Sequence, residues 1–429
     1  MNFKRSIIGL AVVGLISFNT FAAEEQENTS KVPLDKISKI AEIFSLVDEN
    51  YVEAPDKEDM LIHAIKGMVS SLDPYSAYLE KNDFQAIQDD VSGETVGLGV
   101  VLRKHEKGLE IETVVRGGSA FKNTDLESGD VIVKVKDNYI IEEYNNPFEA
   151  IDDIKGEEGT KAEISVYKKH SGEVKKYEIL RTKFTASNVY SLKVDHDYGY
   201  VTFSSFQENT AKDLKNEIKK LKKKNIKGLI LDLRSNPGGL LDSAIDISDM
   251  FLDKGVIVST KSRDGHIEKD EATYGDIVKN LPMVILIDSG TASAAEIVSG
   301  ALQDHGRALI IGQTSYGKGS VQTIFPLNGS DGDGLKLTIA RYYTPSGRSI
   351  QAEGIVPDIK LDRLEKVVVS KYKDSREKDN KGHISNDTNY TSIDEGFDGK
   401  NDVESSIEKD YALFMAVNTL KTLHFDKKD

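Results

Sequence analysis

A serine hydroxyl opens an acyl bond only if one group takes its proton and others steady the oxyanion that forms. Residues 288–326, DSGTASAAEIVSGALQDHGRALIIGQTSYGKGSVQTIFP, contain candidates for each task. Ser293 lies in a run of small residues and opens a helical pattern with Ile297, Val298 and Leu302 on its inward side. A helix start carries backbone N–H groups without intrahelical acceptors and the positive end of the dipole. The amide of Ala294 is therefore one candidate oxyanion donor. The usual base is histidine, and His305 is the only one nearby, but the spacing puts it at the far end of the helix. Lys318, held between Gly317 and Gly319, is the better candidate, provided burial or a cationic neighbour lowers its pKa. A second small-residue loop, DLRSNPGGLL at 232–241, would bring the Gly238 amide close to the same point.

These side chains need a scaffold, and the flanking sequence supplies one. PMVILI at 282–287 has the length and apolar content of a buried strand, so the serine sits in a strand–tight turn–helix unit. VQTIF at 321–325 follows the lysine as a further strand. GLILD at 228–232 leads into the glycine loop, YGYVTF at 198–203 reads as another strand, and LKLTIARYY at 335–343 as one more. Residues 211–224 and 242–252 have helical spacing. Strands alternating with helices predict an α/β core.

DLRSNPGGLL, the long segment from Asp288, and LTIARYYTPSGRSIQAEGIVPDI, in this order, resemble the C-terminal processing (tail-specific) serine peptidases. The resemblance extends over roughly residues 34–360. It implies a crotonase-like α/β protease core with an inserted β-rich PDZ domain. By position it makes Ser293 the nucleophile, Lys318 the general base and Gln322 the residue orienting that base, with Gly238 and Ala294 as the oxyanion hole. A third acidic residue belongs to some descriptions of the family. Glu296 and Asp304 are the nearby choices, and each reads from the sequence as a helix-face charge.

Upstream, GLGV at 97–100 and SGDVIVKV at 128–135 have the spacing of a PDZ domain. Such domains add a peptide's last residues as a strand to a sheet edge. Gly97, Leu98, Gly99 and Val100 would form the peptide-binding loop, its amides taking the terminal carboxylate. KAEISVY at 161–167 reads as the closing strand of this unit. Two details depart from the family pattern: Lys155 stands where an arginine is common, and Ala120 follows Ser119 where a proline is often found. Lysine cannot reproduce a bidentate arginine contact.

The first 22 residues read as a signal peptide: Lys4 and Arg5, an apolar run at 7–18, then a small-residue cleavage site. The expected plan is signal peptide 1–22, N-terminal helical region 23–90, PDZ domain 91–184, peptidase core 185–365, disordered linker 366–401 and C-terminal helix 402–429. The formal charge of -15 argues against nucleic acid and anionic membranes as partners. Cysteine is absent, no metal-ligand cluster is visible, and no cofactor is expected. The expectation is a periplasmic serine endopeptidase acting near protein C-termini, with the PDZ domain binding those termini and gating activity. Apolar helices at both ends suggest a homo-oligomer and a docking place for an adaptor or lipoprotein partner. Two competing readings are an inactive peptide-binding scaffold and an acyl-CoA enzyme. The first is disfavoured by the joint presence of Ser293, Lys318, Gln322 and both glycine loops, the second by the PDZ unit and the export signal.

Overall fold

The structure is a computed structural model that describes residues 33–273, 275–327, 332–362 and 410–425. The signal peptide 1–22 and the linker 366–401 lie outside the described residues. The chain divides into two compact units, residues 1–65 and 66–429. In the first, helix α1 (Leu34–Asn50) buries none of its residues. Leu34, Ile37, Ile40, Ile43 and Leu46 are all exposed and recur at helical spacing. Helix α2 (Lys57–Ser70) begins in this unit and runs into the next.

The second unit opens with a short strand, β1 (Ala77–Leu79), helix α3 (Lys81–Ser92) and strand β2 (Glu94–Gly97). A β-rich insertion follows, made of β3 (Val100–His105), β4 (Gly108–Val114), the short helix α4 (Ser119–Asn123), β5 (Val131–Val135) and β6 (Asn138–Tyr139). It continues with α5 (Ile140–Glu143), α6 (Ala150–Ile154), β7 (Lys161–Tyr167) and β8 (Val174–Leu180). Its strands form a sheet in the order β3-β4-β5-β7-β8, with β6 on β5. Leu98, Leu109, Ile111, Ile132, Ile164 and Ile179 belong to its own apolar core. Strand β7 is not the closing strand expected from the sequence. The charged segment VKKYEIL alternates too weakly in polarity to signal a strand, yet it pairs along the whole of β7 as β8. Strand β9 (Thr182–Thr185) then pairs antiparallel with β2, so the insertion enters and leaves through one two-stranded ribbon.

The rest builds the main α/β layer. Its strands are β10 (Val189–Val194), β11 (Tyr198–Phe203) and, after helix α7 (Thr210–Lys223), β12 (Gly228–Asp232). Helix α8 (Leu241–Asp249) leads to β13 (Gly255–Ser262), β14 (Ile267–Ala272) and β15 (Met283–Ile287). Helix α9 (Ala294–Asp304), β16 (Leu309–Gly312), β17 (Ser320–Pro326), β18 (Gly334–Tyr343) and β19 (Ile359–Lys360) follow, and helix α10 (Tyr411–Phe425) comes last. One sheet runs β10-β11-β12-β15-β16-β19, parallel from β11 onward. The second runs β1-β18-β13-β14, with β17 also paired to β18.

Successive side chains of a strand face opposite sides, and a parallel sheet must be covered on both. Leu229, Leu231, Ile285 and Ile287 face α7, α8 and α9 in one core. Ile230, Val284 and Leu286 face the other way, onto Ala416, Val417 and Leu420 of α10. The apolar face of the last helix, expected to support oligomer formation, is therefore occupied by the chain's own sheet.

Candidate active site

Strand β15 is wholly buried and delivers Asp288 to its end. The Asp288 carboxylate accepts N–H bonds from Ser235 (2.7 Å) and Gly290 (2.9 Å). The Thr291 hydroxyl donates to the Leu233 carbonyl (2.7 Å), and Ala292 N–H to the Asn236 carbonyl (2.9 Å). These bonds staple the serine turn to the glycine loop. Ser293 then adopts φ 56° and ψ -119°, a strained conformation for a residue with a Cβ, at the N-cap of α9. Gly238, at φ 99°, packs against it so closely that a Cβ there would lie 2.7 Å from Ser293 Cβ and 2.9 Å from Ala294 N. Only glycine fits. The glycine loop and Ser293, far apart in sequence, thus meet.

The amides are arranged differently from the simplest reading. The Gly238 N–H donates to Asn236 Oδ1 at 2.9 Å. Among the described residues the N–H groups of Gly239 and Ala294 have no acceptor. Ala294 is the expected donor; beside it the loop leaves the Gly239 N–H available, Gly238 being bound by its own asparagine turn.

Glu296 corrects a sequence expectation outright. It is not a helix-face charge: its side chain is fully buried and accepts four hydrogen bonds. The donors are Ser293 N–H (2.8 Å), the Ser315 hydroxyl (2.5 Å), Gly317 N–H (2.7 Å) and Lys318 N–H (2.9 Å). One carboxyl group therefore fixes the serine turn and the lysine loop together. Asp304 takes no part. It lies at the other end of α9, bound to Ser346 N–H (2.9 Å) and Arg348 (2.5 Å). Burial raises its pKa, and the bonds from Thr344, Ser346 and Arg348 outweigh burial and hold it below the ordinary value. His305 is also remote, its Nε2 within 2.7 Å of the Val256 carbonyl oxygen.

Lys318 lies in the site, and burial lowers its pKa. The neighbouring Lys336 adds to that, while Glu296 opposes it. Its Nζ stands 4.7 Å from the centre of the Tyr75 ring, and no hydrogen bond joins it to Ser293. Tyr342, buried on β18, donates its hydroxyl to the Lys318 carbonyl and has the Ser293 side chain as a hydrogen-bonding neighbour. Burial pushes the Tyr342 phenol well above its usual range, so it stays protonated. The Gln322 amide donates to the hydroxyls of Ser320 (2.9 Å) and Thr338 (3.2 Å) and does not reach Lys318. Tyr75 and Tyr342 were not legible in the sequence, since each reaches the site through pairing of distant segments; Ser315 lies on the lysine loop, but its bond to Glu296 appears only when that loop folds over α9.

The glycine loop has a further anchor. Asp232 and Asp410 both bind the Arg234 guanidinium, Asp410 through a two-point contact at 2.9 and 2.6 Å. Asp410 also accepts the Leu413 N–H at the start of α10 (3.0 Å). Burial raises the Asp410 pKa, and Arg234 outweighs it and holds the carboxyl low.

In the β-rich insertion, Leu98 and Gly99 use their carbonyls to accept Ala120 N–H (2.8 Å) and Val115 N–H (2.9 Å). Their own N–H groups have no backbone acceptor among the described residues. A Cβ on Gly99 would lie 2.6 Å from Gly118 Cα, so the loop closes tightly only with glycine there. Gly97 is buried beside Leu98, and Val100 begins β3. Among the described residues no His, Cys, Asp and Glu side chains gather as a metal site.

Residues 197–361 match the model of peptidase family S41, and residues 15–83 that of the N-terminal domain of the activating protease CtpB. The carboxy-terminal-processing protease of Bartonella bacilliformis is 38% identical over 81% of this chain and 79% of its own length. The chain belongs to peptidase family S41. The S41 peptidase is also 33% identical to the carboxy-terminal processing protease CtpA of Bacillus subtilis, over 83% of this chain and 75% of the relative. A probable CtpA-like serine protease of Staphylococcus aureus (strain COL) is 31% identical, covering 83% and 71%. Among solved structures, the photosystem II D1 C-terminal processing protease aligns over 75% of this chain and 92% of its own, with 29% identity and a TM-score of 0.44. The S41 peptidase is thus a serine-type enzyme of the carboxy-terminal-processing group, with a mixed α/β fold.

Proposed function

We propose that this S41 peptidase is an exported endopeptidase that cuts proteins near their C-termini with a Ser293/Lys318 dyad. The observation that carries the reading is the shared carboxyl of Glu296, which ties the strained Ser293 turn to the Lys318 loop. Neutral Lys318 takes the Ser293 proton as Oγ bonds to the scissile carbonyl carbon. The oxyanion is met by the N–H groups of Ala294 and Gly239, with Gly238 closing the loop against Ser293, and Lys318 returns the proton to the leaving amine as the C–N bond breaks. Water then attacks the ester, with Lys318 again as base, and releases the shortened protein and free serine. With Lys318 Nζ over the Tyr75 ring and no hydrogen bond between it and Ser293, the first step requires that hydrogen bond to form. Gln322 would orient the base only after leaving Ser320 and Thr338.

The core is read as crotonase-like and the insertion at 91–184 as a PDZ domain. Its support is an independent apolar core and the open amides of Leu98 and Gly99, which suit a terminal carboxylate. Residues 1–22 are read as a signal peptide for export to the periplasm, the exposed stripe of α1 as a surface for a second copy, and an adaptor or lipoprotein as a candidate partner.

The deciding experiment is cleavage of labelled casein by Ser293→Ala and Lys318→Ala. Each is expected to lose at least about a thousandfold in kcat while keeping the wild-type melting temperature, because the two residues act as a unit. Lys318→Arg should fail as well, since a guanidinium cannot surrender its proton. Near-normal turnover by Lys318→Ala would overturn the dyad.

A further inference from the structure

Tyr75 is the group against Lys318 that the mechanism above does not use. It sits in a turn whose geometry is fixed by Asp73, which accepts Tyr75 N–H (2.8 Å), Ser76 N–H (2.9 Å) and the Ser76 hydroxyl (2.8 Å). The Ser76 oxygen in turn accepts Thr338 N–H from β18 (3.1 Å). The next residues are β1, registered on β18 with Ala77 opposite Lys336 and Leu79 opposite Gly334. The ring is therefore delivered by a hydrogen-bonded turn and a paired strand. Its hydroxyl reaches that of Tyr316 at 3.4 Å, on the loop that carries Lys318.

We propose that Tyr75 is a positioning residue that holds the Lys318 ammonium against its ring face in the resting enzyme. The inference rests on Lys318 being the general base. An aromatic face attracts an ammonium and has no comparable pull on a neutral amine. The contact therefore keeps the proton on Lys318, whereas catalysis needs it off. The other groups facing Lys318 are Lys336 from β18, which repels its charge, Glu296 from α9, which favours it, and the Tyr342 phenol on its backbone carbonyl. Tyr75 itself does not ionise near neutral pH: its hydrogen bond with Tyr316, then burial, push it up to about 12. The ring thus opposes Lys336 and burial, and it sets how much of the enzyme has a usable base. Because Tyr75 precedes β1, α3 and the ribbon into the β-rich insertion, a movement of that insertion has a short covalent route to the ring that touches the base.

The test is the pH profile of kcat/KM on labelled casein for the full chain. The limb that rises with pH reports loss of the Lys318 proton in the free enzyme. Removing the ring in Tyr75→Leu lowers that pKa, so the limb should move to lower pH by about half a unit, or about threefold more activity on the limb. Tyr75→Phe keeps the ring face and should retain the wild-type limb. Phenylalanines of increasing fluorination at position 75 preserve shape while weakening the face, and should move the limb stepwise in the same direction. The fluorinated series decides the matter if Tyr75→Leu does not fold. An unmoved limb across the series, or a folded Tyr75→Leu with reduced kcat at all pH values, would overturn the inference. Those results with an inactive Lys318→Ala would leave the dyad standing; an active Lys318→Ala would bring down both.

Discussion

At the scale of single residues, the site is organised by a carboxyl group that touches no substrate. Glu296 is fully buried, and its bonds to Ser293, Ser315, Gly317 and Lys318 bring together the Ser293 turn and the Lys318 loop. A glutamine there would present an NH2 group where donors already converge. Glu296→Gln is expected to lower stability by about 2–4 kcal/mol, because hydrogen bonds to a charged group are lost and buried donors left unpaired. Turnover should fall by about a hundredfold or more as the serine turn relaxes. Thermal unfolding and casein cleavage measure both, and a variant with wild-type melting and turnover would show that the loops are held by other contacts. The strained φ of 56° at Ser293 belongs to the same arrangement: Asp288, Thr291 and Ala292 fix the turn just ahead of the strained residue, and Glu296 accepts its N–H from beyond.

At the scale of elements, three segments remote in sequence converge on the core sheets. Strand β1 pairs with β18 and carries Tyr75 to Lys318. Helix α10 lies on the face of β12 and β15 and sends Asp410 to Arg234 beside the glycine loop. The β-rich insertion hangs from the ribbon of β2 and β9. If the insertion gates the enzyme, as the family resemblance leads one to expect, deleting residues 91–184 should change casein cleavage several-fold. A rise indicates that it restrains the site and a complete loss that it activates it. Unchanged casein cleavage, with only tail-bearing substrates affected, would reduce the insertion to a tether. A ligand at Leu98 and Gly99 shifts such an equilibrium only by its difference in affinity for the two arrangements.

At the scale of the whole molecule, the apolar stripe of α1 is out of keeping with a chain of charge -15. The α1 stripe of Leu34, Ile37, Ile40, Ile43 and Leu46 has no buried member. A row of this length and spacing is what a helix presents to a partner helix. Light scattering of the mature chain is expected to give a mass of at least two copies. Substituting Ile37, Ile40 and Ile43 together by glutamate should return it to one. A monomer in both cases would dismiss α1 as a self-association surface.

The sequence by itself determined the local machinery. A small-residue turn between an apolar strand and a helix can place a serine at a helix start, and glycines either side of Lys318 permit a tight loop; both requirements are written in contiguous residues. Strands β11, β12 and β15 of the main sheet and helices α7, α8 and α9 were legible for the same reason, because burial on one or both faces leaves a period in the residues themselves. What the tertiary structure decided depends on partners far along the chain. Glu296 looks like any acidic residue in a first helical turn until the lysine loop folds over it. Asp410 looks like a solvated charge until α10 seats Ala416, Val417 and Leu420 on the sheet. Tyr75 falls in a region, 23–90, expected only to be helical, and the register of β1 on β18 sets its ring beside Lys318. Strand β8 has hardly any apolar period of its own and exists because β7 offers it an edge. Pairing register and helix docking are settled by the sum of many distant contacts, and no local pattern records that sum.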